Sequence, residues 1–363
     1  MHRHRYRRRI AAVVGLAAVA AAALGGGSAS ASGMHHGFRQ INLVSDIPGK
    51  AQITDPNLVN PWGLAFSSGS PIWVSDNGTD VATLYAGGTG GTPPSIVPLV
   101  VSVPQGAPTG QVFNPTNGFR LRVGGDMRQP AAFIVDSEAG VISAWTKTNV
   151  LQTHFRQKLV VPGAVFKGLA IGFFHRHPAL YATDFAGGSV DVVDSHFHML
   201  STPGAFRDPM VPMSYHPFGI ETIGNRVVVT YAKTQMGSTD EAHGPGFGFV
   251  AVFTQNGRLV KHLVSHGALN APWGLARGPM GFGRFGGDLL VGNFGNGRIN
   301  AYDMHTGMWE GTLRRPSGRP VAIDGLWGLK FGNGTFGGHS DLVFSAGLDD
   351  ESHGLLGELR HVS

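Results

Sequence analysis

The sequence predicts an all-β fold, a six-bladed β-propeller with four-stranded blades, on three observations. A short motif with a central glycine recurs six times at intervals of about 50 residues. Each interval contains the same series of short apolar strands joined by polar turns. The composition, with 55 glycines and 22 prolines in 363 residues, favours tight turns between strands, and no convincing helical period follows Gly33.

The repeated motif marks the predicted inner strand of each blade. Its clearest copies are Asn60-Pro61-Trp62-Gly63-Leu64 and Ala271-Pro272-Trp273-Gly274-Leu275. We assign the six shared glycines to Gly63, Gly118, Gly168, Gly219, Gly274 and Gly328, with spacings of 55, 50, 51, 55 and 54 residues. Inner strands crowd at the propeller axis, where a side chain would clash, and this explains the glycine.

Further strands follow each motif in the same order. The predicted second strands are Ile72–Ser75, Ala132–Val135, Leu180–Thr183, Val227–Thr230, Leu289–Gly292 and Leu342–Ser345. The sixth repeat ends at its third strand, Leu355–Leu359, whereas Phe38–Val44 precedes the first repeat and resembles an outer strand. We therefore expect the N-terminal strand to complete the last blade, which closes the ring.

The domain prediction is a signal peptide at 1–31, a disordered tail at 32–37 and a single propeller domain at 38–363. The first segment has an arginine-rich start, an alanine-rich apolar stretch and Ala29-Ser30-Ala31 as a cleavage site, so we expect a secreted protein. The net charge of +5 belongs to this leader, because the rest of the chain carries 23 charges of each sign. This balance argues against nucleic-acid binding, and no membrane span is expected in the mature chain.

The repeats resemble a known pattern. Asn60–Ala65 followed by Ile72–Gly78 is similar to the NHL repeat, and Leu290–Ile299 matches its second half. The mature chain as a whole resembles a family of uncharacterised secreted bacterial six-bladed propellers related to NHL-repeat proteins. The resemblance implies the fold but not an activity, because this fold carries binders, lyases and hydrolases alike.

A first candidate site is a ring of polar residues just before the six predicted inner strands, at the end we call the upper face. Its members are Asn60, Asn114, Asn117, Lys167, His216, Asn270 and Asp324. Such a ring could hold a hard cation or orient a small polar ligand, as lactonase-like six-bladed enzymes hold calcium or zinc at a comparable place. The alternative is that each asparagine caps a turn before proline.

A second candidate site is the sequence Asp-Glu-x-His-Gly, which occurs in upper-face loops of blades 4 and 6. Its residues are Asp240, Glu241 and His243 in one copy and Asp350, Glu351 and His353 in the other. Carboxylates and imidazoles are ligands for calcium or zinc, and they also serve as general acids and bases. The alternative is a repeated turn, the role we also assign to Asp76, Glu138, Asp184 and Asn293 in the matching loops.

The opposite end of the propeller, the lower face, carries a histidine cluster in blade 3. His175 and His177 fall in one loop, and His196 and His198 fall in another. The four imidazoles could converge on a zinc, copper or nickel ion, or they could be solvated turn residues.

The leading functional hypothesis is a secreted propeller that binds a small ligand, a polymer or an extracellular protein through its loop-rich upper face. The rival is a metal-dependent hydrolase or lyase at the axial mouth, so enzymatic activity is left open. The rival requires at least three of the candidate side chains to reach one point, and the structure tests this requirement.

Overall fold

The computed structural model describes residues 36–148 and 150–362. The predicted signal peptide and most of the predicted tail lie outside the described residues. Gly37, which we assigned to the tail, is the first residue of a strand instead. Within the described ranges, no helix is long and apolar enough to cross a membrane.

Strands β1 to β13 form the N-terminal segment and the first two blades. The segment contains β1 (Gly37–Ser45) and β2 (Ile53–Thr54). Blade 1 contains β3 (Pro61–Ala65), β4 (Ile72–Asp76), β5 (Val81–Ala86), β6 (Ser95–Ile96) and β7 (Val101–Ser102). Blade 2 contains β8 (Pro108–Phe113), the hairpin of β9 (Arg120–Gly124) and β10 (Met127–Pro130), then β11 (Phe133–Ser137), β12 (Val141–Trp145) and β13 (Arg156–Val160).

Strands β14 to β28 form the other four blades. Blade 3 contains β14 (Phe166–Phe174), β15 (His177–Asp184) and β16 (Ser189–Asp194). Blade 4 contains β17 (Tyr215–Ile223), β18 (Arg226–Thr234), β19 (Glu241–Ala242), β20 (Phe249–Thr254) and β21 (Leu259–Ser265). Blade 5 contains β22 (Pro272–Arg277), β23 (Leu289–Asn293), β24 (Ile299–Tyr302) and β25 (Trp309–Thr312). Blade 6 contains β26 (Leu326–Phe331), β27 (Leu342–Gly347), the short helix α1 (Leu348–Glu351) and β28 (His353–Val362).

The predicted fold class is confirmed, including the closure of the ring. Strand order in the last sheet is β2-β1-β28-β27-β26, so β1 is the outer strand of blade 6. β1 and β28 pair antiparallel from Gly37–Val362 to Ser45–Leu355, which joins the two ends of the described chain. The six predicted second strands correspond to β4, β11, β15, β18, β23 and β27.

Each inner strand bends next to a glycine at the axis. A Cβ atom added at Gly63, Gly110, Gly168, Gly219, Gly274 or Gly328 would approach the inner strand of the next blade to within 3.0 Å. The strand pairing shifts register at or beside these residues in all six blades, which is the signature of a β-bulge. Glycine is therefore required here by the close approach of neighbouring backbones.

The assignment of Gly118 to this ring was wrong. The inner strand of blade 2 is β8, and its axial glycine is Gly110 in Pro108-Thr109-Gly110-Gln111. Gly118 lies beyond the lower end of β8, where an added Cβ would contact Ser195 of blade 3. The Thr116-Asn117-Gly118-Phe119 sequence resembles the motif but belongs to the connection between the first two strands of the blade.

Blade 3 also departs from the predicted four-strand pattern. Its sheet has the order β14-β15-β16, and its outer edge carries only the isolated bridge of Val193 with Met199. Pro203, Pro209 and Pro212 follow in the segment that would supply a fourth strand. Proline has no backbone N–H to donate to a strand ladder, and this explains the missing strand.

Candidate functional site

The upper end of the axis is filled by aromatic side chains. The residue before the axial glycine is Trp62, Phe218, Trp273 or Trp327 in four blades, and all four side chains are buried. The rings of Trp62 and Trp327 stack with centroids 3.5 Å apart, and Trp273 meets both rings edge-on. This aromatic floor closes the central channel immediately below the mouth of the propeller.

Blade 3 places a lysine where these four blades place an aromatic residue. The Lys167 side chain is only 2% exposed, and its Nζ lies 5.3 Å from the centroid of the Trp62 ring. The backbone carbonyl of Lys167 accepts a hydrogen bond from the Trp273 indole at 2.8 Å. An ammonium over an indole face is an attractive arrangement, but a buried charge also requires an opposite charge nearby.

Carboxylates from three other blades supply that opposite charge. Lys167 Nζ lies 2.5 Å from Glu138 Oε1 of blade 2 and 3.6 Å from Asp240 Oδ1 of blade 4. Glu241 of blade 4 is buried beside them, and Glu351 of blade 6 completes the set. With all groups ionised, four carboxylates surround one ammonium, so the mouth carries an excess of negative charge.

Blade 1 contributes amide groups that hold the carboxylates in place. Asn60 Nδ2 donates to Glu351 Oε2 at 3.1 Å and to Asn77 Oδ1 at 3.2 Å, while Asn60 Oδ1 accepts from the Trp327 indole at 3.0 Å. Asn77 Nδ2 donates to Glu138 Oε2 at 3.0 Å. The network therefore runs around the mouth from blade 6 through blade 1 to blade 2.

A histidine at the rim completes the group that we call the mouth cluster. His243 Nε2 lies 3.6 Å from Glu241 Oε1, and its ring contacts Phe294, which stacks on Trp327. The cluster consists of Asn60, Asn77, Glu138, Lys167, Asp240, Glu241, His243 and Glu351. Its side chains range from the buried Lys167 to Asp240, which is 64% exposed, so the cluster opens to solvent.

The mouth cluster shifts the proton affinities of its members. Burial raises the pKa of Glu351 to about 7, and the neighbouring Glu241 and Glu138 add to the shift while Lys167 opposes it. Burial alone would lower the pKa of Lys167, but Glu138, Glu241 and Asp240 raise it above its usual value. Hydrogen bonding to Glu241 raises the pKa of His243 against the opposing effect of burial. Glu351 can therefore exchange a proton near neutral pH.

The structure brings together about half of the predicted site residues. Asn60, Lys167, Asp240, Glu241, His243 and Glu351 all belong to the mouth cluster. The two Asp-Glu-x-His-Gly loops meet across the mouth, but only through Glu241 and His243 of one copy and Glu351 of the other.

The other residues of the two loops and the ring have separate roles. The His353 side chain contacts Asp46 Oδ2 at 2.6 Å through Nδ1 and no side chain of the mouth cluster, and Asp350 is exposed. Asp324 Oδ2 accepts the backbone N–H of Asp349, and Asn270 Oδ1 accepts that of Gly244. His216 Nδ1 contacts the Phe185 carbonyl oxygen at 2.5 Å. These groups stabilise loops around the mouth.

Asn114 and Asn117 lie at the opposite end of the propeller from the mouth. Asn114 follows the last residue of β8 and caps its own turn, accepting from Thr116 N at 2.9 Å and donating to Ala131 O at 2.9 Å. Their placement in the upper ring was wrong because it depended on Gly118 as the axial glycine.

Glu138 and Asn77 are the mouth residues that the sequence analysis missed. We assigned Glu138 to a turn and did not consider Asn77. Only the position of Glu138 in the sequence could have indicated its role. Glu138 lies in the loop after the second strand of blade 2, and Lys167 lies at the start of the inner strand of blade 3. Adjacent blades place these two positions side by side at the upper face.

The predicted metal site is not assembled by these side chains. Within residues 36–148 and 150–362, no group of three or more histidines and carboxylates is arranged to hold a metal ion. Two of the mouth carboxylates, Glu138 and Asp240, pair with Lys167 instead. The lower-face histidines are not arranged as metal ligands either, although His175, His177 and His196 line one cavity.

Comparisons with known proteins identify relatives and the fold. No family model matches the chain. The uncharacterized protein R648 of Acanthamoeba polyphaga mimivirus is 33% identical over 325 residues, which cover 87% of this chain and 78% of R648. The uncharacterized protein L690 of the same virus is 31% identical over 325 residues, covering 87% and 84% of the two chains. These relatives are viral, whereas the sequence analysis expected a bacterial family.

Solved structures show the same architecture at low sequence identity. A streptogramin B lyase superposes with a TM-score of 0.50 and 12% identity, covering 90% of this chain and 98% of the lyase. The soluble aldose sugar dehydrogenase of Escherichia coli gives a TM-score of 0.50 with 13% identity, covering 89% and 99%. These likenesses establish the fold alone, so function has to be argued from the mouth cluster.

Proposed function

We propose that this chain, which belongs to the same family as the mimivirus proteins R648 and L690, is a binding propeller that holds a small, positively charged ligand at its mouth. One observation carries the proposal. Lys167 is buried at the axis and is surrounded by carboxylates from three other blades. Buried charges are costly to assemble, and groups with displaced pKa values concentrate at functional sites.

Closure of the ring does not require this arrangement. Four of the other inner strands fill the equivalent position with an aromatic side chain, and blade 2 fills it with Thr109. The four carboxylates outnumber the ammonium, so an incoming cation would find partly uncompensated acceptors at the rim. The aromatic floor below would exclude water from one side of the ligand and strengthen its electrostatic contacts.

The binding proposal is tested with a panel of small cationic, neutral and anionic compounds, using calorimetry on the mature protein. We expect a cationic compound to bind and Glu241→Gln to weaken its binding at least about tenfold, as expected for loss of a charged partner. Glu310→Gln is the matched control, because Glu310 is exposed on the outer strand of blade 5. Equal affinity of the wild type and Glu241→Gln for every ligand that binds would contradict the proposal.

A second candidate function is acid–base catalysis at the same mouth. It is favoured by the pKa of Glu351, which burial raises to about 7, and by the raised pKa of His243. A carboxylic acid that titrates near neutrality beside an imidazole of raised pKa suits general acid–base catalysis in a lyase or hydrolase. A metal-dependent mechanism is less well supported, because the side chains form no three-ligand group among the described residues.

The same compound panel separates catalysis from binding when the products are analysed by mass spectrometry. The panel includes quinupristin, the ligand named with a virginiamycin B lyase of this fold. Catalysis predicts that His243→Ala abolishes turnover while His353→Ala preserves it, since His353 contacts Asp46 outside the mouth cluster. If no compound is converted to a product while the cationic compounds still bind, catalysis is contradicted and binding remains the proposed function.

We also propose that the mature chain is exported, on the basis of the leader pattern in residues 1–31. N-terminal sequencing of protein from the medium of a native host culture tests this. A mature chain that begins after Ala31 supports export, and an intact chain retained in the cells contradicts it.

A further inference from the structure

Two adjoining cavities form a long groove on the lower face, which we call the lower groove. A cavity of about 400 Å³ lies between blades 2 and 3, and a second of about 930 Å³ lies between blades 3 and 4. Both are lined by Ser195 and His196, so the two cavities adjoin at this loop of blade 3. Together they exceed the volume of about 300–1,000 Å³ that is typical of a small-molecule pocket.

The lower groove is strongly basic. Arg120, Arg128 and Lys158 line the first cavity, and Arg258 lines the second. Across the described parts of the chain, none of these four side chains lies within 4.0 Å of a carboxylate oxygen. The chain beyond the predicted leader has a net charge near zero, but its charges are unevenly distributed: the lower groove is positive and the mouth is negative.

The acid that lines the groove is already engaged by histidines. Asp194 Oδ1 accepts the backbone N–H groups of His196 and His198, both at 2.8 Å. Its Oδ2 lies 3.8 Å and 3.5 Å from the Nδ1 atoms of the same two residues. Both imidazoles remain more than 75% exposed, so they are accessible to a ligand in the groove.

Two of the cations are held in position before any ligand binds. The Arg120 guanidinium donates to the backbone carbonyls of Arg128 at 2.6 Å and Asn117 at 3.4 Å. Lys158 Nζ lies 5.3 Å from the centroid of the buried Phe197 ring. Cations that are fixed in advance lose less conformational entropy when they bind an anion.

We propose that the lower groove binds an acidic polysaccharide, with Arg120, Arg128, Lys158 and Arg258 contacting its sulfate or carboxylate groups. Two adjoining cavities with cations in both fit a chain that spans them rather than a single anion. Hydroxyl and amide side chains between the cations, on Ser195, Ser201, Thr202 and Asn256, match the hydroxyl groups of sugars.

The lining disfavours a nucleic acid, although that is also a polyanion. Single-stranded nucleic acids are held by bases stacked on exposed aromatic rings. Phe197 is 4% exposed and lies beneath Lys158, and Phe174 is half-buried beside His175. The described lining residues thus offer charge, hydrogen bonds and exposed imidazole rings, but no exposed phenylalanine, tyrosine or tryptophan ring.

The test measures fluorescence anisotropy of labelled dextran sulfate oligosaccharides with the mature protein at low salt. We expect binding that weakens as salt is added, because screening reduces charge attraction, and no binding of neutral dextran of the same length. The double variant Arg120→Ala/Lys158→Ala should weaken binding at least about tenfold, in line with the loss of two charge-assisted contacts. The control Lys50→Ala/Arg319→Ala removes two exposed cations elsewhere and should leave the affinity unchanged.

Arg128→Glu is a second test, and it leaves the contact of Lys158 with the buried Phe197 ring in place. This variant should also weaken binding. Equal losses in the groove and control variants would overturn the proposal, because they would show attraction to overall charge. Absence of dextran sulfate binding would overturn it as well. Single-stranded DNA of equal charge is the last comparison. If it binds as tightly and is weakened by the same variants, the polysaccharide proposal is overturned and a nucleic acid is the ligand class.

Discussion

The mouth cluster and the lower groove both gather like charges from several blades, but the mouth buries a lysine among its carboxylates, whereas the groove leaves its cations without carboxylate partners. Lys167 at the mouth is 2% exposed and has a carboxylate at 2.5 Å, whereas Arg128 in the groove is exposed. A buried charge requires a partner, since water cannot solvate it, while an exposed charge does not. Substitutions at the mouth should therefore change folding stability, and those in the groove should change binding alone.

The largest effect is expected for Lys167→Met, which keeps the length of the side chain and removes the charge. Glu138, Glu241 and Asp240 then lose their shared cation, and we expect the free energy of unfolding near neutral pH to fall by about 3 kcal/mol, as for other broken buried ion pairs. Urea unfolding of the purified protein measures this change.

Lys50→Met is the matched control for the loss of the ammonium. Lys50 is exposed, so its substitution should change the free energy of unfolding by less than about 0.5 kcal/mol. If the two variants were equally stable, burial of Lys167 would not govern the stability of the mouth, and the distinction between mouth and groove would lose its main support.

Glu351→Gln should raise the free energy of unfolding, whereas Lys167→Met lowers it, because the Glu351 carboxylate is held where ionisation is unfavourable. The folded pKa of Glu351 is raised to about 7 by burial and by Glu241. Its contribution to stability is therefore fully present below the unfolded pKa of about 4.3 and is lost as pH rises through about 7.

The expected result is that Glu351→Gln is more stable than the wild type by about 1–2 kcal/mol at about pH 8, allowing for partial solvent screening. The advantage should disappear near about pH 4, where the wild-type carboxyl is protonated in both folded and unfolded states. Urea unfolding at the two pH values measures it, and an advantage that is constant with pH would show that Glu351 is not the titrating group.

The fold was predictable from sequence because the repeat encodes a steric requirement. Glycine is needed where inner strands approach each other, so Gly63, Gly168, Gly219, Gly274 and Gly328 could be located by their surroundings alone. The prediction failed in blade 2, since Pro108-Thr109-Gly110-Gln111 has neither an aromatic residue near the glycine nor an apolar residue after it. Its neighbour Asn117-Gly118-Phe119 resembled the motif more closely and shifted two predicted site residues to the wrong face.

The site was harder to predict because it depends on which loops meet. Sequence showed that Asp-Glu-x-His-Gly occurs twice, but the two copies use different members: His243 contacts Glu241, whereas His353 contacts Asp46. The central pair of Lys167 with Glu138 joins residues 29 positions apart in adjacent blades. Lys167 precedes the motif glycine of blade 3 and was predicted as a site residue, whereas Glu138 belongs to no motif, so only its position in an upper loop could have indicated the pair.

The smallest stability effect is expected for Arg128→Glu in the lower groove. Arg128 is exposed and contributes its backbone carbonyl, not its guanidinium, to the bond with Arg120. We expect a change of less than about 0.5 kcal/mol in urea unfolding, as for a surface substitution. The same variant should bind dextran sulfate more weakly than the wild type, because it reverses a charge within the groove. A destabilisation as large as that of Lys167→Met would mean that the groove, like the mouth, is held together by its charges.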